Sequence, residues 1–117
     1  MNDTIKIVEK YFELSNESDM AEIRKMFTSS STYSSDSTGI YLGVEQIMDM
    51  MTTFHKSFSE LKWIINNTIE IRPGVFKIDF VFNGKGRDGQ ELDKTGTEWV
   101  IVFNGMLQHI EVRNNNL

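Results

Sequence analysis

The chain has 117 residues, 39% of them hydrophobic and 25% charged, with a net charge of −5. That length predicts one domain, residues 1–113 with a short tail at 114–117, and the composition excludes a disordered chain. Cysteine is absent and the twelve basic residues are scattered, which argues against disulfides, thiolate metal sites and nucleic-acid binding.

The opening segment carries an acid at position 3 and no uninterrupted apolar run, so neither a secretion signal nor a membrane span is expected, and the reading is a cytoplasmic protein. Ile5, Val8 and Phe12, flanked by Ile7, Tyr11 and Leu14, recur at helical spacing and predict a helix over 4–17, capped by Asn2 or Asp3. Asp19, with Glu22 three residues on, is a capping-box pattern that starts a second, short helix bearing Met20, Ile23, Met26 and Phe27.

Residues 28–39, TSSSTYSSDSTG, carry nine Ser or Thr hydroxyls. Only 27 residues precede the run, too few to fold alone, so it is an internal crossing rather than a linker between domains. Thr32–Ser35 is its extended portion, and Ile40–Leu42 is a further short extended piece before Gly43. From Val44 the spacing is helical again, through Ile47, Met48, Met51, Phe54, His55 and Phe58, and predicts a third helix over 44–58.

After Leu61 the pattern has period two. One strand puts Leu61, Trp63, Ile65, Asn67, Ile69 and Ile71 on one face, before the Arg72-Pro73-Gly74 turn. A second groups Phe76, Ile78, Phe80 and Phe82, and a third groups Thr97, Trp99, Ile101 and Phe103. Asn104-Gly105 is a hairpin signal, and Met106–Arg113 forms the closing strand. Helices segregated from an antiparallel meander give an α+β fold with the helices on one face of the sheet.

The stretch IVEKYFELSNESDMAEIRKMF, then Tyr41-Leu42-Gly43-Val44-Glu45-Gln46-Ile47, then Trp99-Val-Ile-Val-Phe-Asn-Gly and the closing strand, resembles the nuclear-transport-factor-2-like superfamily. That superfamily includes the ketosteroid isomerases and the SnoaL-like polyketide cyclases. The resemblance covers nearly the whole chain through its element order. It implies a cystatin-like cone, a curved antiparallel sheet wrapped around three N-terminal helices, with an internal pocket for a small apolar or amphipathic molecule.

It also implies three polar positions: a base, a tyrosine, and a protonated acid that completes an oxyanion hole. The tyrosine falls on Tyr11. The base falls on Ser35, with Asp36 one step later and therefore expected to point away from the cone. The second acid falls on Trp99, which cannot replace it. His55, on the apolar stripe of the third helix, is the other candidate base, and each of these residues also has a purely structural reading. Trp63, Asn67, Phe80, Trp99 and Gln108 are the candidate ligand contacts, while His109 is expected on the outer sheet face.

The string Gly84-Lys-Gly-Arg-Asp-Gly89 matches a dinucleotide fingerprint in letters, but strand sequence follows it where a helix is needed. A hairpin tip is expected there, and no cofactor or metal site is indicated. Ile64, Val81, Val100, Val102 and Leu107 are expected on the outer sheet face as a patch for a homodimer. The function expected is small-molecule binding, with proton transfer of isomerase, cyclase or hydrolase type. The alternative is a ligand carrier or a dimeric protein-interaction module on the same scaffold.

Overall fold

Apolar residues at helical spacing form α1 (Thr4–Glu17), α2 (Met20–Arg24) and α3 (Gly43–Lys56). Period-two sequence forms β1 (Thr32–Ser35), β2 (Gly39–Leu42), β3 (Phe58–Arg72), β4 (Val75–Gly86), β5 (Glu91–Phe103) and β6 (Met106–Asn114). The computed structural model describes residues 3–115. Asn2, one of the two expected caps, and the last two residues of the expected tail lie outside that range. Among the described residues, no helix is long and apolar enough to cross a membrane.

The strands make one sheet in the order β2-β1-β6-β5-β4-β3. All neighbours are antiparallel except β1 and β6, which pair parallel. The Ser/Thr run thus supplies an internal strand, and its hydroxyls tie it down. Ser31 Oγ donates to the Leu107 carbonyl at 2.7 Å and accepts from the Thr28 N–H at 2.9 Å. Asp19 caps α2 as its spacing predicts, its Oδ1 accepting from the Glu22 N–H at 3.2 Å. Asp3 precedes α1 but makes no side-chain cap bond. The third helix ends two residues earlier than expected, because Phe58 enters β3.

The core lies between the helices and the concave face of the sheet. Val8, Phe12 and Leu14 of α1, Ile23 of α2 and Ile47, Met48 and Met51 of α3 meet Phe76, Ile78, Phe80 and Phe82 of β4. Each fully buried side chain of this kind contributes about 1.5–3 kcal/mol by leaving water. Phe80 faces Gly96 across the β4–β5 pair, and a Cβ on Gly96 would stand 2.7 Å from the Phe80 ring and 2.5 Å from the Arg113 carbonyl. The glycine lets the ring lie flat against the neighbouring strand.

Two strand parities differ from the expectation. In β5 the concave set is Gly96, Glu98, Val100 and Val102, while Trp99, Ile101 and Phe103 point outward. The bulky residues of β4 already fill the concave side, and small partners fit opposite them. Val100 and Val102 are consequently core residues, and so is Leu107 of β6, which a register shift sets opposite Val102, so the three form no surface patch. In β3 a register shift between Ile65 and Asn67 reverses the alternation, so Asn67 pairs with Asp79 on the outer face and is exposed.

Candidate functional site

A cavity of about 60 Å³ opens between the concave sheet and α1 and α3. Tyr11 comes from α1, Met50, Met51, Phe54 and His55 from α3, Tyr33 and Ser35 from β1, and Val112 and Asn114 from β6. Trp63 of β3, Phe82 of β4, and Lys94 and Glu98 of β5 complete the wall with Ser37 and Thr38 of the β1–β2 turn.

One side is aromatic. Trp63 and Phe82 have ring centroids 4.8 Å apart, Phe54 and Phe82 5.6 Å, and His55 and Trp63 5.4 Å. Trp63 is held from behind by Asn16, near the end of α1. Its N–H donates to Asn16 Oδ1 at 2.7 Å, and Asn16 Nδ2 donates to its carbonyl at 3.0 Å. The asparagine thus supplies bonds to a backbone on the edge of the sheet.

The other side is polar and deeply buried. Glu98 is 3% exposed, and its Oε1 has no hydrogen-bond partner among the described residues. Burial raises its carboxyl from 4.5 to about 8, which keeps it largely protonated at neutral pH. Tyr11 and Tyr33 share a side-chain hydrogen bond, and burial and the neighbouring Glu98 push both hydroxyls well above their ordinary range.

His55 lines the cavity with its Nδ1 2.9 Å from Ser18 Oγ. Burial lowers it from 6.5 to about 4, so the ring is neutral at pH 7 and a weak base. Ser35 also faces inward, 3.1 Å from Ser37 Oγ. Asp36 faces away, accepting from the Asn114 N–H at 2.9 Å and from Asn114 Nδ2 at 2.6 Å. These bonds hold its carboxyl below the usual range.

Of the residues singled out from sequence, Tyr11, His55 and Trp63 meet at the cavity. Asp36 and Asn67 point elsewhere. Phe80 belongs to the core beneath Gly96, Trp99 stands on the outer face, and the Gln108 amide donates to the Ser30 carbonyl at 3.0 Å. None of these five lines the cavity. Residues 84–89 end a strand and turn a hairpin, with no helix following.

Glu98 is the acid that sequence reasoning missed. It adjoins Trp99, the position at which the resemblance places a second acid, and strand alternation turns it to the opposite, concave face. The usable signal is size: Val100, Glu98 and Gly96 are small enough to oppose Phe76, Ile78 and Phe80. Among the described residues, no group of three His, Asp or Glu side chains could hold a metal ion.

The architecture is the α+β cone of the nuclear-transport-factor-2-like proteins, a curved six-stranded sheet around N-terminal helices. A candidate SnoaL-like polyketide cyclase from Shewanella putrefaciens CN-32 superposes with a TM-score of 0.85 at 14% identity, over 97% of this chain and 90% of that one. An NTF2-like protein of unknown function from Burkholderia pseudomallei K96243 gives 0.86 at 11% identity, over 98% and 92%. A protein with a ketosteroid isomerase-like fold from Catenulispora acidiphila DSM 44928, in complex with trimethylamine, gives 0.81 at 13%, over 91% and 82%. No protein-family model and no curated protein matches the sequence.

Proposed function

We infer that the protein binds a small molecule in the cone and exchanges a proton with it. Glu98 carries the proton, and Tyr11 and Tyr33 are the hydroxyls that hold the ligand's oxygen. The observation that carries this reading is Glu98 itself, a buried carboxyl with a free oxygen at a cavity wall beside two tyrosines. An acid–base group works best when it titrates near the working pH, and a group near 8 can give or take a proton there. Of the bases expected from sequence, Asp36 points away and His55 is too weakly basic at neutral pH.

The chemistry that fits is proton transfer beside a carbonyl. The carbonyl oxygen accepts from the tyrosine pair, and Glu98 moves the α-proton. The test is deuterium exchange into small enolisable ketones such as acetone and butanone, followed by NMR. Exchange should exceed the buffer rate, rise towards pH 8, and disappear in Glu98→Gln. Tyr11→Phe should slow it by roughly 100-fold, the effect of losing one oxyanion donor. Exchange that matches the buffer rate with every ketone would leave the carrier reading in its place. That the Catenulispora relative holds trimethylamine supports small-molecule binding within this fold.

A homodimer through the outer sheet face belongs to the same reading, with a changed set of residues. Ile64 and Val81 stand there as expected, joined by Trp99, Ile101 and Phe103, the last 62% exposed. An apolar surface of this kind is one that monomers ordinarily avoid.

A further inference from the structure

We propose that the cavity is a site for a compact organic cation, a small alkylammonium whose N–H donates to Glu98 Oε1 while its alkyl groups rest on the aromatic wall. This rests on the preceding reading only in requiring that the cavity admit a ligand. It concerns which ligand, not turnover.

Four observations converge. The first is the unpaired oxygen: buried side-chain oxygens are nearly always hydrogen-bonded, and an exception at a cavity wall marks a place for a donor. The second is the company it keeps. Rings of Trp63, Phe82, Phe54, Tyr11 and Tyr33 line the same space, and ring faces attract cations. The third is charge. Tyr11 of α1 and Tyr33 of β1 neighbour Glu98 and His55 of α3 lines the same cavity, all three uncharged at neutral pH, so the carboxylate of Glu98 is the acidic group of that lining and Lys94, four residues along β5, is the cation that a bound ammonium must stay clear of. A chain of net charge −5 adds a general attraction for cations. The fourth is size. About 60 Å³ is well under the roughly 150 Å³ that accommodates benzene in an engineered cavity, so the occupant has only a few heavy atoms.

The proton balance follows. An ammonium ion arriving as a cation pairs with the carboxylate form, and the proton that Glu98 held leaves to solvent. An amine arriving as the free base takes that proton directly from Oε onto nitrogen. Either route ends in an ammonium–carboxylate pair. Because Glu98 titrates at about 8, the apparent affinity for a cation should rise about tenfold per pH unit up to that value and then level off.

The experiment compares isopropylammonium chloride with isopropanol, two molecules of one skeleton, at constant ionic strength between pH 6 and 9. Binding is read by calorimetry and by NMR shifts of the cavity residues. The expected result is cation binding that strengthens tenfold per unit towards pH 8 and releases close to one proton at pH 7. Glu98→Gln should lose that binding and its pH dependence while still admitting isopropanol. Should the variant fail to fold, the pH profile of the native protein decides alone. Isopropanol binding without isopropylammonium binding, or cation binding indifferent to pH, would overturn the cation site and leave the ligand cavity standing. Binding of neither molecule would remove both readings.

Discussion

Replacing Glu98 by Gln should flatten the pH dependence of stability between pH 6.5 and 8. A glutamic acid ordinarily ionises near 4.5, and burial moves Glu98 to about 8. Between these values the folded protein holds a proton that the unfolded chain has released. The stabilisation is therefore complete below pH 4.5 and is lost as pH rises through about 8, at about 1.4 kcal/mol per pH unit. His55 works in the opposite direction. Burial lowers it from 6.5 to about 4, so its contribution is complete above pH 6.5 and is lost as pH falls towards 4. Its ring is partly exposed, and solvent screening makes that slope shallower than the full value. The two oppose each other between 4.5 and 6.5, and above 6.5 Glu98 dominates. The slope halves by pH 8, where Glu98 is half ionised, so the native protein should lose about 1.5 kcal/mol from pH 6.5 to 8, a fall of roughly 6 °C in Tm for a chain of this size. Urea unfolding followed by tryptophan fluorescence, at intervals across that range, measures both proteins. Parallel curves for native and Glu98→Gln would refute the buried-acid argument.

Gly96→Ala should cost about 1–3 kcal/mol, since its Cβ would press on Phe80 and on the Arg113 carbonyl, and thermal unfolding reads the loss directly. Asp36→Ala removes both acceptors that hold Asn114. Amide exchange at Asn114 should accelerate at least tenfold while core amides keep their protection. If the outer face pairs two copies as proposed, Phe103→Lys, alone or with Ile64→Lys, should turn a native dimer into a monomer in sedimentation at micromolar concentration without changing Tm by more than a few degrees. A native protein already monomeric there would end the dimer reading.

The order of elements was legible because helical and period-two spacing alternate cleanly along the chain, and because Asp19, Pro73 and Asn104-Gly105 mark the boundaries. Tyr11 and His55 were legible as polar residues on apolar helix faces. Which face of a strand turns inward was harder. In β5 each alternating set mixes apolar and polar residues, and bulk favours Trp99, Ile101 and Phe103, although the deciding constraint lies in the neighbouring strand, where Phe80 requires Gly96 opposite. In β3 the shift between Ile65 and Asn67 leaves no mark in the residue pattern. Glu98 was hidden for the same reason. An acid inside a strand reads as a solvent-facing residue until the register puts it in the core.

The parallel pairing of β1 with β6 has a consequence for biosynthesis. Tyr33 and Ser35, on one wall of the cavity, sit beside Ile110 and Val112, 77 residues later in the chain. During translation the helices and the β3–β4 hairpin can form while the binding site still lacks that wall. Closing so long a loop is entropically slow. The pocket is thus complete only once β6 has been made and has docked beside β1, so a chain cut before Ile110 would lack the strand that flanks Tyr33 and Ser35.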